Sequence, residues 1–191
     1  MFRSKERWLV IGLGNPGAEY EKTRHNIGAH VLTAFAQKNG AKFSNHKSRA
    51  DIAEFKVGNT AVVAAKLRCY MNESGGPTKA LADYFKVKMD HLIVAHDELD
   101  IPFQAIRLKQ GGGDNGHNGL KSITNVLGAN YFRVRLGIGR PVDRQDPADF
   151  VLKPFNSQER GALDDFTAHA TSSIESLIED GLEIAQTRFN S

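Results

Sequence analysis

The sequence predicts an α/β fold built on one mixed sheet. Three observations carry that expectation. Short apolar runs of strand length are each closed by glycine or acidic residues, and segments with apolar residues at helical spacing alternate with them. A Gly58-Asn59 pair between two strand-like stretches adds a hairpin, so at least one pair of strands is antiparallel.

Trp8-Leu9-Val10-Ile11, ended by Gly12, reads as a buried strand. Ile27, Val31, Ala34 and Phe35 share one helical face, with Gly40 as the residue that ends the helix. Residues Ile52 to Val57 and Thr60 to Leu67 form the hairpin arms. A helix is expected from Pro77, a favoured first position, through Ala80, Leu81, Tyr84 and Phe85. Leu92-Ile93-Val94-Ala95 is a second buried strand, closed by the acidic turn His96-Asp97-Glu98-Leu99-Asp100. Ala105 to Lys109 is a further strand, and the glycine-rich turn 111–119 leads into a helix holding Leu120, Ile123 and Leu127. From Arg133 to Ile138 basic and apolar residues alternate, which predicts one buried face and one presenting two arginines. Asn156 and Glu159 form a capping box expected to open a long C-terminal helix carrying Leu163, Phe166, Ala170, Ile174, Leu177 and Ile178. No repeat or linker divides the chain, so residues 1–191 are expected to form one domain.

Composition narrows the function. The formal charge is +3 with a pI near 9.0. Residues 101–153 are mainly basic, with Arg107, Lys109, Lys121, Arg133, Arg135 and Arg140 among them, whereas residues after 156 are mainly acidic. That separation permits a polyanionic partner on one face. Cys69 is alone, which excludes an internal disulfide and a cysteine metal site. No apolar run approaches the roughly 18 residues of a membrane span, and residues 1–5 lead into a strand rather than a signal sequence. A soluble, cytoplasmic protein is expected.

Gly12-Leu13-Gly14-Asn15-Pro16-Gly17 imitates a dinucleotide fingerprint. Pro16 removes a phosphate-binding N–H, and the stretch about 20 residues on (Leu32, Phe35, Gln37) holds no ribose-binding acid. These glycines serve better to turn the strand end and leave Asn15 facing a cleft. His25, in the polar turn Arg24-His25-Asn26, can accept a proton near neutral pH, although a surface or capping role is the commoner use of one histidine. Asp97, at a strand end where α/β sheets bind ligands, is placed to orient that imidazole. A divalent metal competes for the same cluster, but its acids crowd one turn without a spaced H-x-x-x-H partner. Five glycines within residues 111–119 suit either a mobile loop or a close backbone approach by a nucleotide, and no Gly-Lys-Ser/Thr makes them a P-loop. Ser74 lacks a nucleophile elbow and Cys69 reads as a small buried thiol, which favours direct attack by water. One histidine among neutral amides (Asn15, Asn26, Asn72, Asn118) suits a hydrolase better than redox or kinase chemistry. Lys109, Arg133 and Arg135, on basic strand faces, are the expected phosphate contacts.

Taken together, Gly12–Gly17 with Tyr20, Thr23–Asn26, Tyr70–Gly75, His96–Asp100, Gly111–Leu120 and Arg133–Gly139 with Pro141 resemble the bacterial-type peptidyl-tRNA hydrolase family, in its order and over most of residues 8–141. The resemblance implies hydrolysis of the ester between a peptide and the 3′-terminal ribose of tRNA, on a twisted mixed sheet with helices on both faces, by a monomer without metal or cofactor. It implies His25 as general base, Asp97 as its orienting partner, and Asn15 as reader of the N-acylated group. Asn72 and Asn118 would position ester, water and terminal nucleotide, with Tyr20 and Tyr70 contributing to tRNA binding. Two departures stand out. Tyr70 replaces the family's frequent Phe, and Asp114-Asn115 replaces a more usual His-Gly, placing a negative charge beside the expected polyanion path. A non-catalytic RNA-binding protein and a metal-dependent hydrolase are the rival readings.

Overall fold

A computed structural model describes residues 6–190. The reading of residues 1–5 falls outside these. Among the described residues, seven strands form one sheet: β1 (Arg7–Gly12), β2 (Ser44–His46), β3 (Ala50–Val57), β4 (Thr60–Leu67), β5 (Leu92–Glu98), β6 (Ile106–Gln110) and β7 (Phe132–Gly137). The helices are α1 (Ile27–Lys38), α2 (Gly75–Phe85), α3 (Asn118–Leu127), α4 (Pro147–Val151), α5 (Ser157–Gly161), α6 (Leu163–Asp180) and α7 (Leu182–Phe189). The spatial order is β2-β3-β4-β1-β5-β7-β6. β1 runs parallel to β4 and β5, and β5 parallel to β7, while β2/β3, β3/β4 and β6/β7 are antiparallel. The sheet is mixed, as the hairpin signal required.

The period of two along a strand sends alternate side chains to opposite faces, and both faces are covered. Val10, Ile93 and Val134 pack with Val31, Phe35, Phe166, Ile174 and Leu177 beneath α1 and α6. Leu9, Ile11, Val63 and Val94 pack with Leu81, Leu120 and Ile123 beneath α2 and α3. Burying one such side chain stabilises by roughly 1.5–3 kcal/mol. The uninterrupted apolar runs of β1 and β5 therefore have to occupy the middle of the sheet.

Two glycines set the position of the site. A Cβ on Gly28 would lie 2.3 Å from the Ala95 carbonyl oxygen, and one on Gly12 would lie 2.4 Å from the Gly28 oxygen. Only glycine lets the start of α1 press against the ends of β1 and β5. The fingerprint-like glycines thus serve helix packing, which brings the turn before α1 over the end of β5.

Several expectations need correction. His96, Asp97 and Glu98 are not in a turn: β5 continues through them, because they pair with Arg135, Leu136 and Gly137 of β7, and all are buried. Arg133 is fully buried rather than presented to solvent. Its guanidinium donates to the carbonyls of Gly112 and Gly113 and pairs with Asp114 at 3.1 Å. α2 begins at Gly75, two residues before Pro77, which still lies in the first turn where its missing N–H costs nothing. The Asn156–Glu159 capping box forms but opens the five-residue α5; the long α6 starts separately after Ala162, next to the poor helix former Gly161. β2, α4 and α7 were not anticipated.

Candidate active site

Four element ends meet in a cleft of about 520 Å³: the strand-end turn holding Asn15, the 3₁₀ turn Arg24–Asn26 before α1, the 3₁₀ turn Met71–Glu73 before α2, and the end of β5 facing the start of α3. A fifth wall comes from α4 and Leu152. Arg24 fastens that wall. It is buried, its guanidinium lies 4.1 Å from the Phe150 ring centre, and it donates to the Phe150 carbonyl at 3.3 Å and to Glu159 at 3.0 Å.

His25 and Asp97, 72 positions apart, are joined: His25 Nδ1 lies 2.8 and 3.0 Å from the two Asp97 carboxylate oxygens. A carboxylate accepts only, so Nδ1 carries the proton. Nε2 then keeps its lone pair, without a partner among the described residues, in the cleft wall. Burial works hardest against charging His25, but the charge of Asp97 and its hydrogen bond together outweigh it and raise the pKa above the ordinary 6.5. Burial would likewise raise Asp97, yet the imidazoles of His25 and His117 hold it far below the usual carboxylate range.

Asn15 is fixed from both sides. Its N–H donates to Asn26 Oδ1 at 2.9 Å, Asn26 Nδ2 donates back to the Asn15 carbonyl at 2.9 Å, and its Oδ1 accepts from the Met71 N–H at 2.8 Å. With Oδ1 so engaged, the Nδ2 group is the half of the amide left to offer a ligand. Asn72 and Asn118 are exposed and line the same cleft. Tyr70, 55% exposed, lines its mouth, and Tyr20 meets it edge-on at 6.4 Å without lining the cleft itself.

Lys109 and Arg135 lie elsewhere. With Arg107, Arg133 and the buried His96 they line a second cavity of about 230 Å³. It shares only Glu98 and Asn115 with the cleft. Strand register sets Arg107 opposite Arg135 and Lys109 opposite Arg133. Burial first, then the neighbouring cations Arg135 and Arg133, lowers the Lys109 pKa. Burial also lowers that of Arg135, against the attraction of Glu98. Four cations line the cavity against the two carboxylates of Glu98 and Asp100, and that positive excess would attract an anion. Asp114 brings no free negative charge to repel an anion: its carboxylate is engaged by Arg133 and, at 3.0 Å, by the Thr124 hydroxyl. Asn115, in a left-handed conformation at φ 46°, donates to Glu98 at 2.6 Å and Asp100 at 2.5 Å, forming the partition between the two cavities.

Sequence reasoning missed His117 as a partner of Asp97. Its Nε2 lies 2.8 Å from Asp97 Oδ1, and its Nδ1 accepts the N–H groups of Gly119 and Leu120 at 3.1 and 3.3 Å, capping α3. The His-Asn pair at the end of the glycine turn was the available signal. Donor atoms of His25, Asp97 and His117 fall within 4.8 Å of one another, a span a metal could bridge. They do not suit one: ligation through His117 Nε2 would move its proton to Nδ1, which already accepts two backbone N–H groups.

The sequence profile of the peptidyl-tRNA hydrolase family matches residues 9–191. The chain belongs to the peptidyl-tRNA hydrolase family. It is 54% identical over 184 residues to the peptidyl-tRNA hydrolase of Frankia casuarinae, an alignment covering 96% of this chain and 93% of that one. It is 52% identical over 190 residues to that of Streptomyces coelicolor, covering 96% and 95%. The crystal structure of peptidyl-tRNA hydrolase from Acinetobacter baumannii matches the fold with a TM-score of 0.91 at 33% identity, covering 100% of this chain and 98% of that chain. This chain is therefore a hydrolase of peptidyl-tRNA, with the family's α/β fold and, among the described residues, no helix long and apolar enough to cross a membrane.

Proposed function

We propose that the cleft hydrolyses the peptide–ribose ester by direct attack of water, with His25 as the general base. The observation that carries this is the His25–Asp97 pair, which commits the Nδ1 proton to the carboxylate and leaves a basic Nε2 at the cleft. Water attacks the ester carbonyl carbon as its proton passes to Nε2. The tetrahedral oxyanion collapses with loss of the 3′-ribose oxygen, which takes the proton from the imidazolium. Asn72 and Asn118 supply neutral donors to the ester and terminal nucleotide. Asn15 Nδ2 donates to the carbonyl of the N-acyl group. A free aminoacyl-tRNA has no such carbonyl, so this contact discriminates against it.

Tyr70, backed by Tyr20, offers an exposed ring for a terminal base to stack on. Lys109 and Arg135 hold a tRNA phosphate in the basic cavity, so one substrate spans both cavities across the Asn115 partition. No metal is required, because base, orienting carboxylate and donors all come from side chains; a cytoplasmic monomer satisfies the scheme.

The test is release of acetyl-amino acid from acetyl-aminoacyl-tRNA in EDTA, with unblocked aminoacyl-tRNA as counter-substrate. His25→Ala should lose at least ~10²–10⁴-fold in rate, and Asn15→Ala should lose preference for the blocked ester. Unchanged turnover in His25→Ala would reject the base, and loss of wild-type turnover in EDTA would reject metal independence.

A further inference from the structure

We propose that His117 is a positioning residue for this hydrolysis, holding the Asp97 carboxylate against His25 and dividing its charge. The inference rests on His25 being the base. Asp97 Oδ1 receives both imidazoles, His117 at 2.8 Å and His25 at 3.0 Å, while Oδ2 receives His25 alone at 2.8 Å. The His117 side chain is 7% exposed, and its ring sits 4.8 Å from that of His25 and 5.3 Å from that of His96.

The helix cap fixes which proton His117 carries. Nδ1 accepts from two backbone N–H groups of the first turn of α3, so the proton stays on Nε2 and points at Asp97. Protonating Nδ1 would set three donors against one another. His117 is thereby a neutral donor, and its orientation is set by a helix rather than by solvent.

Two consequences follow for the base. A carboxylate held by one partner can swing, whereas Asp97 is held from the turn before α1 and from the loop before α3 at once. A second N–H also draws charge from the carboxylate, so less remains to stabilise the His25 imidazolium, tempering its basicity toward the neutral range where a general base works best. The remaining groups around the pair fit this account. His96, next on β5, is kept neutral by burial, with its pKa pushed down to about 3. Glu98 is engaged by Asn115, and Arg140 by Asp100. His117 also immediately precedes Asn118, so the same cap places that amide in the cleft.

The experiment compares His117→Asn and His117→Ala by kcat, KM and pH–rate profile on acetyl-aminoacyl-tRNA, with thermal unfolding alongside. Asparagine is among the best helix caps but is too short to cap α3 and reach Asp97 together. His117→Asn should therefore keep near-wild-type stability and KM, lose about 10–100-fold in kcat, and move the acid limb of the profile to higher pH. His117→Ala should show the same kinetic change with reduced stability. If His117→Asn instead restores wild-type kcat and an unmoved acid limb, His117 is a cap alone and the proposal fails. Running His25→Ala in parallel separates this from failure of the base: there the proposal is overturned only when His25→Ala is dead and His117→Asn is not impaired, whereas an active His25→Ala overturns the reading beneath it.

Discussion

Replacing Asp97 with asparagine tests the site most severely, because the structure dictates which way the new amide must face. Two imidazole N–H groups converge on residue 97, and asparagine can accept on one side only. His117 cannot change its tautomer without abandoning the cap of α3. The amide oxygen is therefore drawn to the Oδ1 position beside His117, which leaves the NH₂ at the Oδ2 position, 2.8 Å from His25 Nδ1 in the present geometry. The oxygen at Oδ1 keeps a 3.0 Å approach to Nδ1, but the nearer NH₂ would meet an N–H there donor to donor. Nδ1 therefore accepts from it, and the His25 proton moves to Nε2, the nitrogen that has to accept from water. The same substitution in an Asp–His–Ser triad lowers kcat about 10⁴-fold for this reason, equivalent to ~5.5 kcal/mol of transition-state stabilisation. Asp97→Asn should approach that loss and be no better than Asp97→Ala, which leaves Nδ1 free to re-protonate through water. Single-turnover release of acetyl-amino acid measures the step, and ¹⁵N chemical shifts of the His25 ring report the tautomer. An Asp97→Asn enzyme within tenfold of wild type, or one keeping the Nδ1–H tautomer, would refute the reasoning.

Three further outcomes follow from the charges. Because Asp97 raises the His25 pKa, kcat/KM should climb with pH through a value above the ordinary 6.5, and Asp97→Ala should move that limb to lower pH. The same raised pKa means that the pair stabilises the folded chain fully below pH 6.5 and loses that contribution as pH rises through the folded-state value, which pH-dependent urea titrations can follow. In the basic cavity, Lys109→Met with Arg135→Met should weaken tRNA binding and reduce the slope of log affinity against log salt by roughly 1–2. An unaltered slope in a filter-binding titration would place the phosphate contacts elsewhere.

Much of the frame was readable from residue order because its causes are local. The apolar runs of β1 and β5, the Gly58-Asn59 turn and the helical stripe from Ile27 to Phe35 each carry their own periodicity. β2 was invisible because Ser44-Asn45-His46 has neither apolar alternation nor strand propensity and exists only by pairing with β3. α4 did carry a signal, the Asp146 cap followed by Pro147, but its five residues are too short to show a stripe.

Residue order carries the α/β alternation, the polar residues able to do hydrolytic chemistry, and the family pattern that joins His25, Asp97, Asn15, Asn72 and Asn118. Their residue types and spacing are properties of the chain before it folds. Packing settles what meets what. It turned the alternation of β7 into a buried Arg133 that holds the glycine loop, because the loop carbonyls and Asp114 close over the strand. It set Lys109 and Arg135 in a cavity apart from His25, because β7 and the edge strand β6 lie beyond β5 from β1. And it placed a second histidine on Asp97, because Gly12 and Gly28 let α1 close over β5 from one side while the loop before α3 approaches from the other. Contacts between residues distant in the chain depend on which backbone surfaces can approach, and that is settled only when the whole sheet and its covering helices pack together.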